Sequence, residues 1–423
     1  MSGPKEYILF ISQATSSGIQ AVSMCNTLLK KNFKVLVLRD KNLPQRYPED
    51  TKDVTFLSCD FSKPYDIEKT LHAYKPHIKA VTFYGDELAS LSAQIVPHLP
   101  YISHPSSESL HWSTDKIAMR QLFQAHDPNI TPSFTIVKDT EEKSIERIIK
   151  KVGFPLVIKP AGLAASLLVT MCYHEDELRS SLKKIFKKIE RIYKENNRTT
   201  VPKILVEQFM EGEMYSIDAY VDKKGSVNFC PMVYVKTGKA IGFDDFFNYM
   251  RITPTQLKES TVEKAEDVAK KAIHALNLRS TTAHIELMRT EDGWKVIELG
   301  PRIGGFRTDM YALSHGIQHR MNDILIHLGE KPVIPKKQLA YVAVLKLYGK
   351  KEGILQNIKG IRAIKKLASI KEVRMNLKPG DKCLYSKHGG KAVCDIILAH
   401  KKRPELLADI RRVEQMVDIQ VTK

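Results

Sequence analysis

Two glutamates, Glu286 and Glu298, sit in adjacent segments that each alternate apolar and polar residues. In the first, Ala283, Ile285 and Leu287 share one face of a strand, with His284, Glu286 and Met288 on the other. In the second, Val296 and Glu298 share a face opposite Ile297 and Leu299. Between them Glu291-Asp292-Gly293 suits a three-residue hairpin loop, a type I turn closed by a glycine in the left-handed region. With Thr290 facing Trp294, that loop sets Glu286 directly opposite Glu298. Carboxylates so placed, with Cβ atoms about 5 Å apart, repel one another. A solvated face tolerates such a pair, but the flanking Ile, Leu, Met and Val favour burial. A hard dication turns the repulsion into a binding site, because carboxylate and phosphate oxygens are the donors Mg²⁺ favours. The chain then continues Gly300-Pro301-Arg302-Ile303-Gly304-Gly305, a guanidinium fork followed by two residues without side chains.

Cations precede this hairpin. Lys116 follows Ser113-Thr114-Asp115, where Thr114 or Asp115 reads as a helix N-cap. A lysine in a first turn opposes the helix dipole, and an anionic ligand at that end reconciles the two. Lys159 closes an apolar strand over residues 154–159 and shares a face with Val157. A surface lysine with a snorkelling stem gives the same pattern. A further strand over residues 203–210 runs into Glu207-Gln208-Phe209, with Glu213 just beyond.

The elements needed to position these groups are readable in order. Tyr7-Ile-Leu-Phe-Ile11, a helix carrying Ile19, Val22, Cys25 and Leu29, and Lys34-Val-Leu-Val-Leu38 make a strand–helix–strand unit. Strands at 54–57 and 79–84 and a helix over 86–96 extend it to a small parallel α/β domain. Its first turn lacks the three spaced glycines of a dinucleotide fingerprint. Residues 97–109 read as a connection. A strand at 133–137 and a helix at 142–151 precede the Lys159 strand; a basic amphipathic helix at 177–193 follows, with Leu178, Leu182, Ile185, Ile189 and Ile192 as its buried stripe. Residues 215–221 and 227–235 form a hairpin across Asp222-Lys-Lys-Gly225. Residues 236–254, rich in Gly and aromatics and without periodicity, have the composition of a substrate-covering loop. Ser260-Thr-Val-Glu263 is a capping-box pattern for the helix before the hairpin. Beyond residue 336 come strands at 341–347 and 392–400 and a helix at 405–416.

Length and composition bound the answer. A chain of 423 residues has room for about three domains at roughly 150 residues each. The net charge of +18, from 66 basic and 48 acidic residues, calls for anionic small substrates or a polyanionic partner. The basic residues are spread along the chain without zinc-finger spacing or an aromatic RNA-binding signature, so nucleic acid is not an expected partner. Six cysteines without metal-ligand spacing read as reduced thiols. With no signal-peptide pattern and no apolar run of membrane-spanning length, a cytoplasmic protein without a membrane partner is expected.

A lysine at a helix start, a lysine at a strand end, an acidic strand end, two opposed carboxylates and Ile297-Glu-Leu-Gly-Pro-Arg-Ile-Gly-Gly305, in that order, resemble the ATP-grasp superfamily from about Lys116 to Gly305. The third region and the Pro-Arg-Ile-Gly-Gly ending look most like its L-amino-acid ligase branch. The resemblance implies an α/β (α+β) fold: an N-terminal Rossmann-like domain over residues 1–105, an ATP-grasp domain over 106–335 with a nucleotide-covering part at about 131–207, and a C-terminal lobe over 336–423. It implies ATP and Mg²⁺, or Mn²⁺ in its place, as cofactors. Lys116, Lys159 and Ser166 would meet phosphates, Glu207, Gln208 and Phe209 the adenine through backbone groups, and Glu213 the ribose. Glu286 and Glu298 would hold the metal. Arg302, Gly304, Gly305 and Arg307 would face the reacting groups, with His315 and residues 243–249 as further candidates for substrate contact. The implied reaction is ADP-forming carboxylate–amine ligation through an acyl phosphate, on amino acids or related small carboxylates, in a monomer or homodimer. A biotin-carboxylase-like or transformylase-like enzyme and a non-catalytic ATP-binding regulator stay open beside it. Two departures bear on the choice. Gly300 stands where the family usually has Asn, which removes one metal ligand, and Pro160-Ala-Gly-Leu-Ala-Ala-Ser166 replaces a glycine-rich loop.

Overall fold

The computed structural model describes residues 5–43, 54–161, 168–195, 202–243 and 245–422. β1 (Tyr7–Ile11), β2 (Lys34–Asp40), β3 (Val54–Cys59) and β4 (Ile78–Thr82) form a parallel sheet ordered β3-β2-β1-β4. β1, β2 and β4 are mostly apolar because both faces are covered. Helices Pro64–Leu71 and Asp86–Ile95 close one face, and helix Ser16–Leu29 packs on the other. That second face is shared with helix His319–His327, whose Met321, Ile324 and Leu325 join Ile8, Phe10, Val35 and Val37 in one core.

β5 (Phe134–Val137), β6 (Leu156–Pro160), β7 (Thr170–Cys172) and β8 (Ile204–Gln208) make an antiparallel sheet ordered β5-β8-β6-β7. Strand alternation divides its residues. Leu156, Ile158, Ile204 and Val206 go beneath helices Glu142–Lys151 and Glu175–Glu195, which leaves Val157, Lys159 and Glu207 for the opposite face. The stripe expected on the longer helix is the one that buries: Leu178, Leu182, Ile185 and Ile189 all join this core.

The remaining strands are β9 (Glu213–Val221), β10 (Val227–Phe229), β11 (Val233–Thr237), β12 (Asn248–Thr253), β13 (Thr281–Thr290), β14 (Gly293–Gly300), β15 (Tyr341–Leu347), β16 (Gly353–Lys359), β17 (Ile370–Met375), β18 (Lys382–Cys383), β19 (Cys394–His400) and β20 (Asp418–Thr422). Nine of them build one large sheet in the order β14-β13-β9-β11-β12-β15-β19-β17, with β10 paired to β9. β16, β18 and β20 form a separate three-stranded sheet. Helix Glu259–Ala275 lies against the β9–β13–β14 end, where Ala265, Ala269 and Ala272 form a small-residue stripe against Ile285, Leu287 and Val296.

Three expectations change. Residues 236–254 are not one loop: residues 248–253 are β12, inside the sheet between β11 and β15. β12 is buried on both faces over residues 249–253, so it shows no alternation for a sequence pattern to find. The helix before the hairpin begins at Glu259, with Lys258 as a cap that makes no side-chain bond, so Ser260 and Glu263 do not form a capping box. The hairpin loop has two residues, Glu291 and Asp292, because Thr290 pairs with Gly293 rather than Trp294. A bulge between Glu286 and Leu287 then shifts the ladder by one residue and sets Glu286 opposite Glu298. The same bulge moves Val296 and Glu298 to different faces: Val296 enters the core and Glu298 faces out with Ile297.

No helix among the described residues is long and apolar enough to cross a membrane. All six cysteines are free and buried.

Candidate active site

A cleft of about 470 Å³ opens between the small β5–β8 sheet and the large sheet. Lys116 and Arg120 enter it from helix Lys116–His126, which Asp115 caps by accepting the backbone N–H groups of Ile117 and Ala118 at 2.8 and 3.2 Å. Lys159 comes from the end of β6, Glu207 from β8, Glu286 from β13, and Glu298 with Arg302 from β14 and the turn after it. Phe209 and Phe246, with ring centroids 6.4 Å apart, give the cleft an aromatic wall.

The charges in the cleft are paired across it. Lys116 Nζ lies 3.0 Å from Glu298, and Lys159 Nζ lies 2.5 Å from Glu207. Arg120 Nε donates to the other oxygen of Glu207 at 2.6 Å, and its Nη2 donates to the Ile297 carbonyl at 2.6 Å. Burial alone would raise the Glu207 carboxyl, but Arg120 and Lys159 outweigh it and hold it at about 2. Glu286 is held down to about 2 as well: burial opposes ionisation, while His284, Arg251 and Arg302 favour it more strongly.

Behind Glu286 runs a buried polar chain that the sequence did not announce. His284 Nε2 lies 3.6 Å from Glu286, and its Nδ1 is 2.7 Å from Asp218. Asp218, fully buried on β9, also accepts the Gly304 N–H at 2.8 Å and lies 2.8 Å from His319 Nε2. Arg307 is 3.6 Å away and donates to Ser216 Oγ. One carboxylate thereby orients His284, the glycine turn and two helices. These contacts hold the Asp218 carboxyl well below the usual carboxylate range despite its burial.

Among the residues singled out from sequence, the cleft gathers Lys116, Lys159, Glu207, Gln208, Phe209, Glu286, Glu298, Arg302 and Gly305. The backbone N–H groups of Gln208 and Phe209 are already engaged by the carbonyls of Ser133 and Pro155. Glu213 is not brought in. β9 points Met214 into the cleft, so Glu213 faces away and meets Tyr215 and Arg289 instead. Arg307 is 1 % exposed and braces the interior. Gly304 is buried with its N–H given to Asp218, which leaves Gly305 as the glycine facing the cleft. His315 is buried against Ser314, and burial pushes its pKa down. From residues 243–249, Phe246, Phe247 and Asn248 line the cleft. Gly162 and Ser166, and with them the loop that departs from the family pattern, lie outside the described residues.

Sequence reasoning passed over Arg120, Asp218, His284 and Arg251. Arg120 stands one turn after Lys116, a spacing that puts both on one helix face. His284 shares its strand face with Glu286. Arg251 was concealed because its strand was read as loop. Asp218 carries no local signal, since its partners come from β13, the glycine turn and helix His319–His327.

A family model described as the ATP-grasp domain matches residues 152–309, a span that includes Lys159, both opposed glutamates and the glycine turn. This chain carries an ATP-grasp domain. Its architecture is that of the ATP-grasp fold. The L-amino acid ligase from Bacillus licheniformis superposes with a TM-score of 0.74 over 100% of both chains at 19% identity, a likeness of fold. Among curated proteins, an uncharacterized protein, y4rH, of Sinorhizobium fredii is 24% identical over 278 residues, covering 65% of this chain and 54% of that one. A D-alanine–D-alanine ligase of Flavobacterium johnsoniae is 26% identical over 147 residues, covering 33% of this chain and 40% of its own. The chain thus spans about half or less of these two relatives. In the ATP-grasp domain here, a pair of carboxylates faces a pair of lysines across a cleft with an aromatic wall. That donor set suits a hard cation shared with phosphate oxygens. Among the described residues no third His, Cys, Asp or Glu joins the two glutamates in a metal-holding cluster.

Proposed function

We propose that this protein is an ATP-dependent, ADP-forming ligase that joins a small carboxylate to an amine through an acyl phosphate. The observation that carries the proposal is the opposed pair Glu286 and Glu298, facing Lys116, Lys159 and Arg302 in one cleft of an ATP-grasp domain. Glu286 and Glu298 would hold Mg²⁺, which when bound supplies charge neutralisation at the β- and γ-phosphates. With Gly300 in place of Asn, a water or a substrate oxygen would supply the ligand that position lacks.

The chain's own groups do the rest. Lys116 and Lys159 exchange their carboxylate partners for phosphate oxygens, and Phe209 and Phe246 flank the base. Arg302 offers a planar fork to the transferring phosphoryl group and to the carboxylate that receives it. The substrate carboxylate oxygen attacks the γ-phosphorus, the bond to the bridging oxygen breaks, and ADP leaves with that electron pair. The amine then attacks the acyl carbon, phosphate departs, and the amine loses a proton. The products are an amide, ADP and phosphate. His284, oriented by Asp218, keeps Glu286 ionised and in place through both steps.

A phosphate-release screen of amino acids and small carboxylates, singly and in pairs with Mg²⁺ and ATP, tests the reading. ADP with phosphate is the expected product pair, and AMP with pyrophosphate would overturn the mechanism.

A further inference from the structure

Between β11 and β12 the chain makes a single helical turn, Lys239–Ile241, closed by Gly242 at φ +93°. Lys239 Nζ lies 5.3 Å from the ring centroid of Phe209 and 5.4 Å from those of Phe246 and Tyr173, and it donates to the Tyr173 hydroxyl at 3.0 Å. Phe209 and Phe246 are the aromatic wall of the cleft, and Lys239 stands outside that wall rather than lining the cleft itself. Tyr173 belongs to the other side: it follows β7, an edge strand of the small sheet. One ammonium therefore spans the mouth from the large sheet to the small one, at distances where cation–π attraction acts. The turn that carries it is braced from the C-terminal lobe. Phe247 packs on Tyr348 with centroids 3.9 Å apart, Phe243 lies 6.0 Å from Tyr385, and Asp245 accepts the Lys387 N–H at 3.1 Å. Gly238 is required at its start, since a Cβ there would fall 2.5 Å from the Phe247 ring. The grip is local: Tyr173 is 52 % exposed, while Cys172 beside it is in the core of the small sheet, so loss of Lys239 leaves that core filled. Deeper in the cleft the buried Arg120–Glu207 pair ties the same sheet to helix Lys116–His126. Removing Lys239 thus frees the outer edge of the small sheet and keeps its inner attachment.

We propose that Lys239 is a positioning residue, a clasp that holds the outer edge of the small sheet down over the base and so sets the rate at which nucleotide leaves. The proposal takes from the ligase reading only that ATP occupies the cleft. The full chain, with Mg²⁺, is loaded with the ribose-labelled fluorescent analogue mant-ATP and chased with unlabelled ATP in a stopped-flow instrument. Lys239→Met, which keeps the length of the side chain and removes its charge, is expected to release the analogue about tenfold faster, the scale of a few exposed cation–π contacts, with association changed by less than about twofold. Tyr173→Leu is expected to speed release in the same direction. Lys239→Arg is expected to stay near the wild type, because a guanidinium also binds ring faces. Amide exchange in the ligand-free chain gives a second readout: residues 170–173 should exchange faster in Lys239→Met, while residues 281–290 keep their protection and report a folded protein. Release unchanged in Lys239→Met and Tyr173→Leu, an arginine variant as fast as the methionine one, or unaltered exchange at residues 170–173 would each overturn the clasp. If the ligase reading alone is wrong, these release rates are still found while no carboxylate drives ADP formation. If the clasp alone is wrong, ligation proceeds and the analogue leaves the wild type and Lys239→Met at one rate. Failure of the wild type to bind mant-ATP would overturn both.

Discussion

At the scale of single residues, the cleft is organised by replacement. Lys116 and Lys159 each rest on a glutamate, and the proposed ligand takes over one partner of each pair. Glu298→Ala is accordingly expected to lower turnover by about 10²–10³-fold, the scale for removing one electrostatic stabiliser, while circular dichroism and Tm report a folded protein. Retained turnover would remove Glu298 from the metal site. The glycine turn offers a sharper contrast. A Cβ on Gly304 would come within 2.5 Å of His284 Nδ1 and 2.7 Å of Arg307 Cγ, whereas one on Gly305 would meet nothing within 4 Å. Gly304→Ala should therefore cost about 1–3 kcal/mol, the range for overpacking, and Gly305→Ala should leave Tm near the wild-type value. Glu207 and Glu286 both sit at about 2 against an ordinary 4.5. Their folded-state values are depressed, so the stability they contribute is fully present above about pH 4.5 and is lost as pH falls toward 2. Urea midpoints measured from pH 6 to pH 2.5 should hold above 4.5 and decline below it, and Glu207→Gln should flatten that decline.

At the scale of elements, positioning depends on where each strand and helix starts. Helix Lys116–His126 presents Lys116 in its first turn because Asp115 caps it. Asp115→Ala should cost about 1 kcal/mol and weaken ATP binding, with Asp115→Asn restoring both in a thermal and calorimetric comparison. The sequence narrowed this cap to Thr114 or Asp115, and it showed β1, the stripe of helix Glu175–Glu195 and the shared face of Val157 and Lys159, since each depends on neighbours close in the chain. The opposition of Glu286 and Glu298 was also legible, but by a different route: the turn is one residue shorter than its composition suggested, and a bulge makes up the difference. β12 was not legible because burial on both faces erases its period, and Arg251 was lost with it. Asp218 and its partners were beyond reach for another reason. They meet through tertiary pairing of β9, β13 and helix His319–His327, and no window of sequence contains all three.

At the scale of the whole molecule, one side chain ties the N-terminal sheet to the large one. Asp323 accepts Thr82 Oγ1 from β4 at 2.6 Å and Thr282 Oγ1 from β13 at 2.6 Å, all three buried. Loss of that carboxylate leaves two hydroxyls without an acceptor, so Asp323→Ala should destabilise the chain by about 1–3 kcal/mol. Scanning calorimetry should show unfolding at a lower midpoint, or more broadly than in the wild type, as the two sheets lose their polar link; unfolding that keeps the wild-type shape and midpoint would dismiss the role. The bulge in the β13–β14 hairpin has a consequence for how such chains vary in length. Because it takes up one residue between the turn and the glutamates, a gap or an extra residue in the loop can be offset by gaining or losing the bulge. Relatives whose hairpins differ by one residue can therefore keep the two carboxylates face to face, and an alignment that merely counts residues from the turn will pair the wrong positions.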